Sequence, residues 1–142
     1  MPWRMLTARA LRRQRGSAAA GPSASPWAAS QIENAAIDWQ FKVGDQVKIR
    51  LLNEMAGDHP MHHPFHVHGA GRFLVLARDD VAEPNLVWKD TVLVRTGETV
   101  DILLDVTNVG RWMAHCHIAE HHESGMMFSF NVAPADDDAP ST

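Results

Sequence analysis

The chain has 142 residues, enough for one domain, and 45% of them are hydrophobic, so the sequence can bury a core. No apolar run approaches the length of a membrane span, and the single cysteine excludes an internal disulfide. All 17 acidic residues follow the first five arginines, so the remainder of the chain is acidic, which argues against nucleic acid as a partner.

Residues 1–30 are rich in Ala, Arg, Ser, Pro and Gly and show no hydrophobic periodicity, so we predict a disordered basic tail. The pair Arg12-Arg13 suggests an export signal, but no apolar stretch of about 7 to 15 residues follows it. The sequence therefore offers no clear signal peptide.

Short alternating runs of apolar and polar residues begin at Ile37 and predict strands separated by turns. The predicted strands cover residues 37–43, 47–51, 73–76, 91–94, 100–106 and 127–132, together with the strand that carries Cys116. The unbroken apolar run at 73–76 is typical of a strand buried on both faces, and residues 79–84 are predicted as a loop. About seven short strands without a helix of ordinary length favour an all-β domain over residues 31–133, an antiparallel sandwich or barrel, followed by an acidic disordered tail at 134–142.

The lone cysteine stands in a dense group of metal-ligating residue types. It lies between His115 and His117, and His121 and Met126 follow. Successive side chains of a strand point to opposite faces, so the two flanking histidines share one face while Cys116 points to the other. A thiolate with two imidazoles and a distant methionine is the ligand set of a blue-copper centre, and this stretch supplies all but one imidazole.

A second motif, His63-Pro64-x-His66-x-His68-Gly69, provides the missing imidazole. His66 and His68 are two positions apart and share a face, whereas His63 lies an odd number of positions from both and faces away from them. We therefore predict two sites that lie back to back. One site contains His63, Cys116, His121 and Met126, and the other contains His66, His68, His115 and His117.

The two motifs resemble those of the C-terminal cupredoxin domain of multicopper oxidases, the laccase-like family, and match its pattern at every ligand position. The turns and strands near residues 89–92, 97–100 and 110–112 are also similar, and the resemblance covers roughly residues 37–132. It implies a plastocyanin-like, Greek-key β-sandwich or barrel of cupredoxin type. It also implies a periplasmic or secreted location.

The resemblance assigns a role to each metal-ligating residue. The implied type 1 copper ligands are His63, Cys116, His121 and Met126, and the implied trinuclear-cluster ligands are His66, His68, His115 and His117. The expected reaction is one-electron oxidation of a small-molecule or metal-ion reductant at the type 1 copper, with dioxygen reduced at the cluster. Electrons are expected to pass from Cys116 through its peptide units to His115 and His117, which makes these three the catalytic residues.

Histidine counting indicates that the isolated chain is incomplete. The family's cluster takes eight imidazoles, four of them from another domain that carries two further His-x-His pairs. This chain has nine histidines, and the three without a ligand position form no such pair: His59, His62 and His122. The resemblance therefore implies that another cupredoxin domain or chain supplies the remaining histidines. Phenols, metal ions and amines all stay open as substrates.

Other interpretations of the same residues also stay open. A single buried cysteine often serves only for packing, and a cysteine with several histidines can bind zinc, although the distant methionine favours copper. A mononuclear blue-copper electron-transfer or copper-binding protein would need only the four type 1 residues. An inactive fragment of a larger oxidase is a third possibility.

Overall fold

The computed structural model describes residues 39–53, 61–118 and 127–136, and the backbone of residues 7–14. The described residues form strands and no α-helix, which confirms the predicted all-β class. The strands are β1 Thr7–Gln14, β2 Gln40–Lys42, β3 Asp45–Leu52, β4 His63–Val67, β5 Gly71–Arg78, β6 Val81–Ala82, β7 Trp88–Lys89, β8 Thr91–Val94, β9 Thr99–Val106, β10 Gly110–Cys116 and β11 Met127–Ala133. Within these ranges no helix has the length and apolar character to cross a membrane.

The strands form two sheets. The six-stranded sheet has the order β1-β3-β9-β5-β6, with β7 also paired to β5, and the five-stranded sheet has the order β2-β11-β10-β4-β8. Strands distant in sequence are neighbours in each sheet, as in the Greek-key arrangement of β-sandwiches. One hydrophobic cluster contains inward side chains of both sheets, such as Ile49 and Leu104 from the first and Phe65 and Phe130 from the second. The predicted β-sandwich is therefore confirmed.

Alternating burial along the longer strands, such as β3, β4 and β11, produces this core. In β3, Val47, Ile49 and Leu51 are buried and the residues between them are only partly covered. The prediction that residues 73–76 are buried on both faces is wrong, because only Phe73 and Val75 are fully buried. An antiparallel sheet of a sandwich covers one face, and a short apolar run does not reveal how many faces are covered.

Residues 1–30 were predicted to be a disordered basic tail, but Thr7–Gln14 within them form strand β1. It pairs antiparallel with β3, from Thr7 opposite Leu52 to Gln14 opposite Asp45, and forms the edge of the six-stranded sheet. An edge strand is held by backbone pairing on one side and tolerates charged residues, so it needs no hydrophobic alternation. The remainder of 1–30, like residues 137–142, lies outside the described residues, and disorder there stays a prediction.

The predicted loop at 79–84 contains a strand. Residues 81–82 form β6, which pairs with β5 through a two-residue turn at Asp79 and Asp80. Both aspartates have positive φ, 48° and 62°, as a type I′ hairpin turn requires. The loop prediction is wrong here because aspartate is one of the few residues that tolerate the left-handed region.

Candidate metal centre

Strands β4 and β10 bring the two histidine motifs together. They are antiparallel neighbours in the five-stranded sheet, with His115 opposite His66 and Cys116 opposite Phe65. Backbone hydrogen bonds continue this pairing past the strand ends, from His68 N–H to the Met113 carbonyl at 2.8 Å and from His117 N–H to the Pro64 carbonyl at 2.8 Å. The register of one strand pair therefore places both motifs at a single location.

His63 and Cys116 lie on the core side of this sheet. Their exposed fractions are 0% and 1%, and His63 Nδ1 is 3.6 Å from Cys116 Sγ. A nitrogen and a sulfur bound to one tetrahedral metal at ordinary bond lengths are about 3.6 Å apart, so this pair fits a shared metal ion. The two other predicted ligands of this site, His121 and Met126, lie outside the described residues.

The surroundings of Cys116 favour a neutral thiol when no cation is bound. Burial raises the pKa of the Cys116 thiol, and a backbone hydrogen bond from Ile118 opposes this effect by lowering that pKa. A buried thiolate therefore needs a nearby positive charge, which a bound metal ion would supply.

Four histidines gather on the opposite side of the same sheet, which we call the imidazole face. It comprises His66, His68, His115 and His117. The ring centroids of His66 and His68 are 4.8 Å apart, and those of His68 and His115 are 4.9 Å apart. His117 completes the group, with its centroid 5.5 Å from that of His66 and 5.7 Å from that of His115. Strand parity predicted this separation from Cys116, and the described residues confirm it.

Two members of the imidazole face are in direct contact. His68 Nε2 and His115 Nε2 are 2.7 Å apart, which is the distance of a hydrogen bond between the two rings. His115 Nδ1 is 2.9 Å from the Cys116 carbonyl oxygen, which only accepts, so Nδ1 donates and Nε2 carries the lone pair. Among the described residues, however, no three His, Cys, Asp or Glu side chains are arranged to hold a metal ion by themselves.

Comparison with known proteins identifies the family. The family model for multicopper oxidases matches residues 10–136. The chain belongs to the multicopper oxidase family. It is 40% identical over 74 residues to multicopper oxidase mco of Staphylococcus epidermidis. The aligned region covers 51% of this chain and 16% of that protein. It is also 34% identical over 106 residues to iron transport multicopper oxidase fio1 of Schizosaccharomyces pombe. That aligned region covers 66% of this chain and 16% of that protein.

Solved multicopper oxidases share the fold, which confirms the predicted cupredoxin type. The multi-copper oxidase from Pediococcus acidilactici aligns with a TM-score of 0.61 and 31% identity, covering 78% of this chain and 23% of that chain. McoA from Aquifex aeolicus aligns with a TM-score of 0.55 and 38% identity, covering 66% of this chain and 21% of that chain. The chain thus spans roughly a fifth of the length of these multicopper oxidases. Copper is the metal that this family implies.

In this multicopper oxidase domain, a buried asparagine anchors the strand that begins with His63. Asn53 is 1% exposed, and its Nδ2 donates to the Met61 carbonyl at 2.8 Å and to the Val94 carbonyl at 3.1 Å. Val94 is the residue opposite His63 in the pairing of β4 with β8. A buried amide that donates to the backbone of two other segments leaves no periodic signal in the sequence.

His62, which matched no ligand position, has a structural contact of its own. Its Nδ1 accepts a hydrogen bond from the backbone N–H of Thr96 at 3.1 Å. This contact joins the residue before His63 to the turn after β8. The sequence could not predict this contact, because His62 and Thr96 are 34 residues apart and no local pattern relates them.

The glycine that ends the first motif is required by close packing. Gly69 has a φ of +21°, and a Cβ added there would lie 2.7 Å from Trp112 Cε3. The indole Nε1 of Trp112 donates to the Asn108 carbonyl at 3.0 Å, and Asn108 Nδ2 donates to the Gly69 carbonyl at 2.6 Å. The ring therefore lies directly on the glycine and holds the chain that leaves His68.

Proposed function

We propose that the chain is a copper-dependent oxidoreductase domain of laccase-like type. It would couple one-electron oxidation of a small-molecule or metal-ion reductant at a type 1 copper to dioxygen reduction at a trinuclear cluster shared with another cupredoxin domain or chain. One observation carries the proposal. In the core, Cys116 Sγ lies 3.6 Å from His63 Nδ1, on the side of the sheet opposite the imidazole face. The resemblance of this chain to laccase-like multicopper oxidases also favours a periplasmic or secreted location.

The proposed type 1 site uses the core side of the sheet. His63 and Cys116 would bind the copper together with His121 and Met126, and burial of the first two excludes water from the thiolate. Copper bound here and at the cluster would supply the one-electron and dioxygen chemistry. The thiolate and the surrounding apolar residues would set the potential of the site.

The two proposed sites are joined through very few atoms. Cys116 is covalently adjacent to His115 and His117, which lie on the imidazole face. The hydrogen bond from His115 Nδ1 to the Cys116 carbonyl at 2.9 Å provides a second connection and orients the His115 ring. This short connection between the faces supports electron transfer from the core site to the cluster.

The imidazole face would supply half of the trinuclear cluster. Four histidines gather on this face of the described part of the chain, with the centroids of neighbouring rings 4.8 to 5.7 Å apart. Another cupredoxin domain or a second chain would bring the opposing histidines. A mononuclear electron carrier explains these residues poorly, since it has no use for four histidines gathered opposite its copper.

Absorption spectroscopy of the copper-loaded chain tests the type 1 site. We expect an intense blue thiolate-to-copper band that Cys116→Ser abolishes, because the serine oxygen cannot replace the thiolate. Met126→Leu should keep the band and raise the potential, since it removes only a weak axial donor. His62→Ala is the matched control and should leave the band unchanged. Retention of the same band in Cys116→Ser would refute the assignment.

A further inference from the structure

One member of the imidazole face has a fixed hydrogen-bonding environment on the strand beside it. His66 Nδ1 is 3.0 Å from the backbone carbonyl oxygen of Asp90 and 2.9 Å from the hydroxyl oxygen of Thr91. A carbonyl oxygen only accepts hydrogen bonds, so Nδ1 is the nitrogen that carries the proton. In the neutral ring, Nε2 then holds the lone pair.

The hydroxyl of Thr91 is oriented to support the same arrangement. Thr91 Oγ1 donates to Asp90 Oδ1 at 2.8 Å, so its proton is committed to the carboxylate and its lone pairs accept from His66. The carboxylate itself stays 3.7 Å from Nδ1, beyond hydrogen-bond distance, and acts through the hydroxyl. The resulting chain of hydrogen bonds runs from imidazole to hydroxyl to carboxylate, and each link has a defined donor.

The register of the sheet determines this contact. His66 and Thr91 are directly opposite each other in the antiparallel pairing of β4 with β8. Side chains of opposite residues in such a pair extend from the same face of the sheet and are close enough to interact. Rotation of the His66 ring about its side-chain bonds would break two hydrogen bonds at once, so the ring is held in one orientation.

We propose that Thr91, oriented by the Asp90 carboxylate, is a positioning residue for His66. It holds the Nδ1–H tautomer and directs Nε2 to the side where a metal would bind. Ligating histidines commonly donate their other N–H to a carboxylate, carbonyl or water, which fixes ring orientation and raises ligand basicity. The metal-binding consequence rests on the proposed function, whereas the tautomer does not.

Long-range ¹⁵N–¹H NMR of the copper-free chain at pH 8 reports directly which ring nitrogen of His66 carries the proton. We expect the Nδ1–H form for His66 in the native chain and in Thr91→Ser, which keeps the hydroxyl. Thr91→Val should lower the fraction of His66 in the Nδ1–H form, because it removes one of the two oxygens that accept from Nδ1 and leaves only the Asp90 carbonyl. Thr99→Val, on the other sheet, is the matched control and should match the native chain.

Copper titration provides the second readout. With Cu²⁺ as the only added ligand, we expect Thr91→Val to weaken binding at the imidazole face about 10-fold to 100-fold, while the Cys116 band stays unchanged. Thr91→Ser should restore native affinity.

An Nε2–H tautomer for His66 in the native chain would overturn the proposal. So would a Thr91→Val variant with the same fraction of the Nδ1–H form and the same copper affinity as the native chain. An Nδ1–H form in a chain without any blue band would uphold the positioning role and refute the proposed function.

Discussion

At the scale of single residues, Arg50 and Asp101 form a bidentate ion pair outside the candidate metal centre. These residues are opposite each other in the pairing of β3 with β9, and Arg50 Nε and Nη2 donate to the two carboxylate oxygens at 2.8 and 2.9 Å. Asp101 is 5% exposed. The hydrogen bond from Arg50 lowers the pKa of the Asp101 carboxyl, against the opposing effect of burial. Sequence alternation places Asp101 on the outer face of β9, between the core residues Val100 and Ile102, and could not reveal that its carboxylate is buried by a bidentate partner.

We expect Asp101→Asn to reduce the free energy of unfolding at pH 7 by about 1 to 3 kcal/mol, because it removes the charge of a buried carboxylate that accepts two hydrogen bonds from a guanidinium. Asp80→Asn is the matched control: Asp80 also accepts from Arg50, at 2.9 Å, but its side chain is 78% exposed. Its loss should cost less than about 0.5 kcal/mol. Urea denaturation of both variants measures the difference, and equal costs would contradict the assignment.

The same pair predicts how stability depends on pH. A carboxyl whose pKa is lower in the folded state than in the unfolded state stabilises the fold above its unfolded pKa, about 3.9 for Asp. That stability is lost as the pH falls through the lower, folded pKa. The gap in unfolding free energy between the native chain and Asp101→Asn should therefore be full at pH 7 and shrink as the pH falls below about 3.9. A gap that widens in acid would show that this ion pair is not its cause.

At the scale of elements, the connection between β4 and β5 links stability to the imidazole face. Gly69 lies under the Trp112 ring of β10, and Asn108 joins the two through hydrogen bonds. The turn is thus packed against the same strand that carries Cys116. A change at this glycine should act on His68, the residue immediately before it.

We expect Gly69→Ala to destabilise the domain by about 2 to 4 kcal/mol, since the methyl group overlaps the indole ring and the backbone is left-handed. Gly44→Ala is the matched control, because Gly44 has a φ of +93° but no atom within 4 Å of the added Cβ. This variant should lower the free energy of unfolding only by the cost of a left-handed backbone at a residue with a Cβ, about 1 to 2 kcal/mol. Thermal unfolding compares the two. If Gly69→Ala cost no more than Gly44→Ala, the indole contact would not be the constraint.

Elements with a local periodic signal could be predicted from the sequence, and those that depend on distant pairing could not. The alternation in β3 and β9 and the two-residue parity of the histidine motifs act over a few positions, so the core strands and the two-faced site were predictable. Strand β1 forms because β3 offers an open edge, and β7 forms beside β5. The contacts of Asn53 with the Met61 and Val94 carbonyls and of Thr91 with His66 depend on how distant strands pair, which the local sequence does not show.

At the scale of the whole molecule, the two faces of one sheet impose different requirements. The core side encloses Cys116 and His63, and the proposed type 1 site would take its other two ligands, His121 and Met126, from this same chain. The imidazole face turns four histidines outward, and the described residues do not complete a metal site there. The chain also spans only 16% of the curated relatives with which it was compared. We therefore infer a domain that binds one copper tightly by itself, binds copper only weakly at the imidazole face, and needs a partner to complete the cluster.

Oxygen uptake with an easily oxidised phenol, measured together with molar mass and copper per chain, tests this central claim most directly. We expect the strictly monomeric chain to bind one copper tightly and to show no four-electron oxygen reduction, because its cluster lacks half of its imidazoles. Activity should appear only when a partner domain or a second copy, docked face to face, supplies further histidines. Sustained reduction of dioxygen to water by a monomer that holds a single copper would contradict the account.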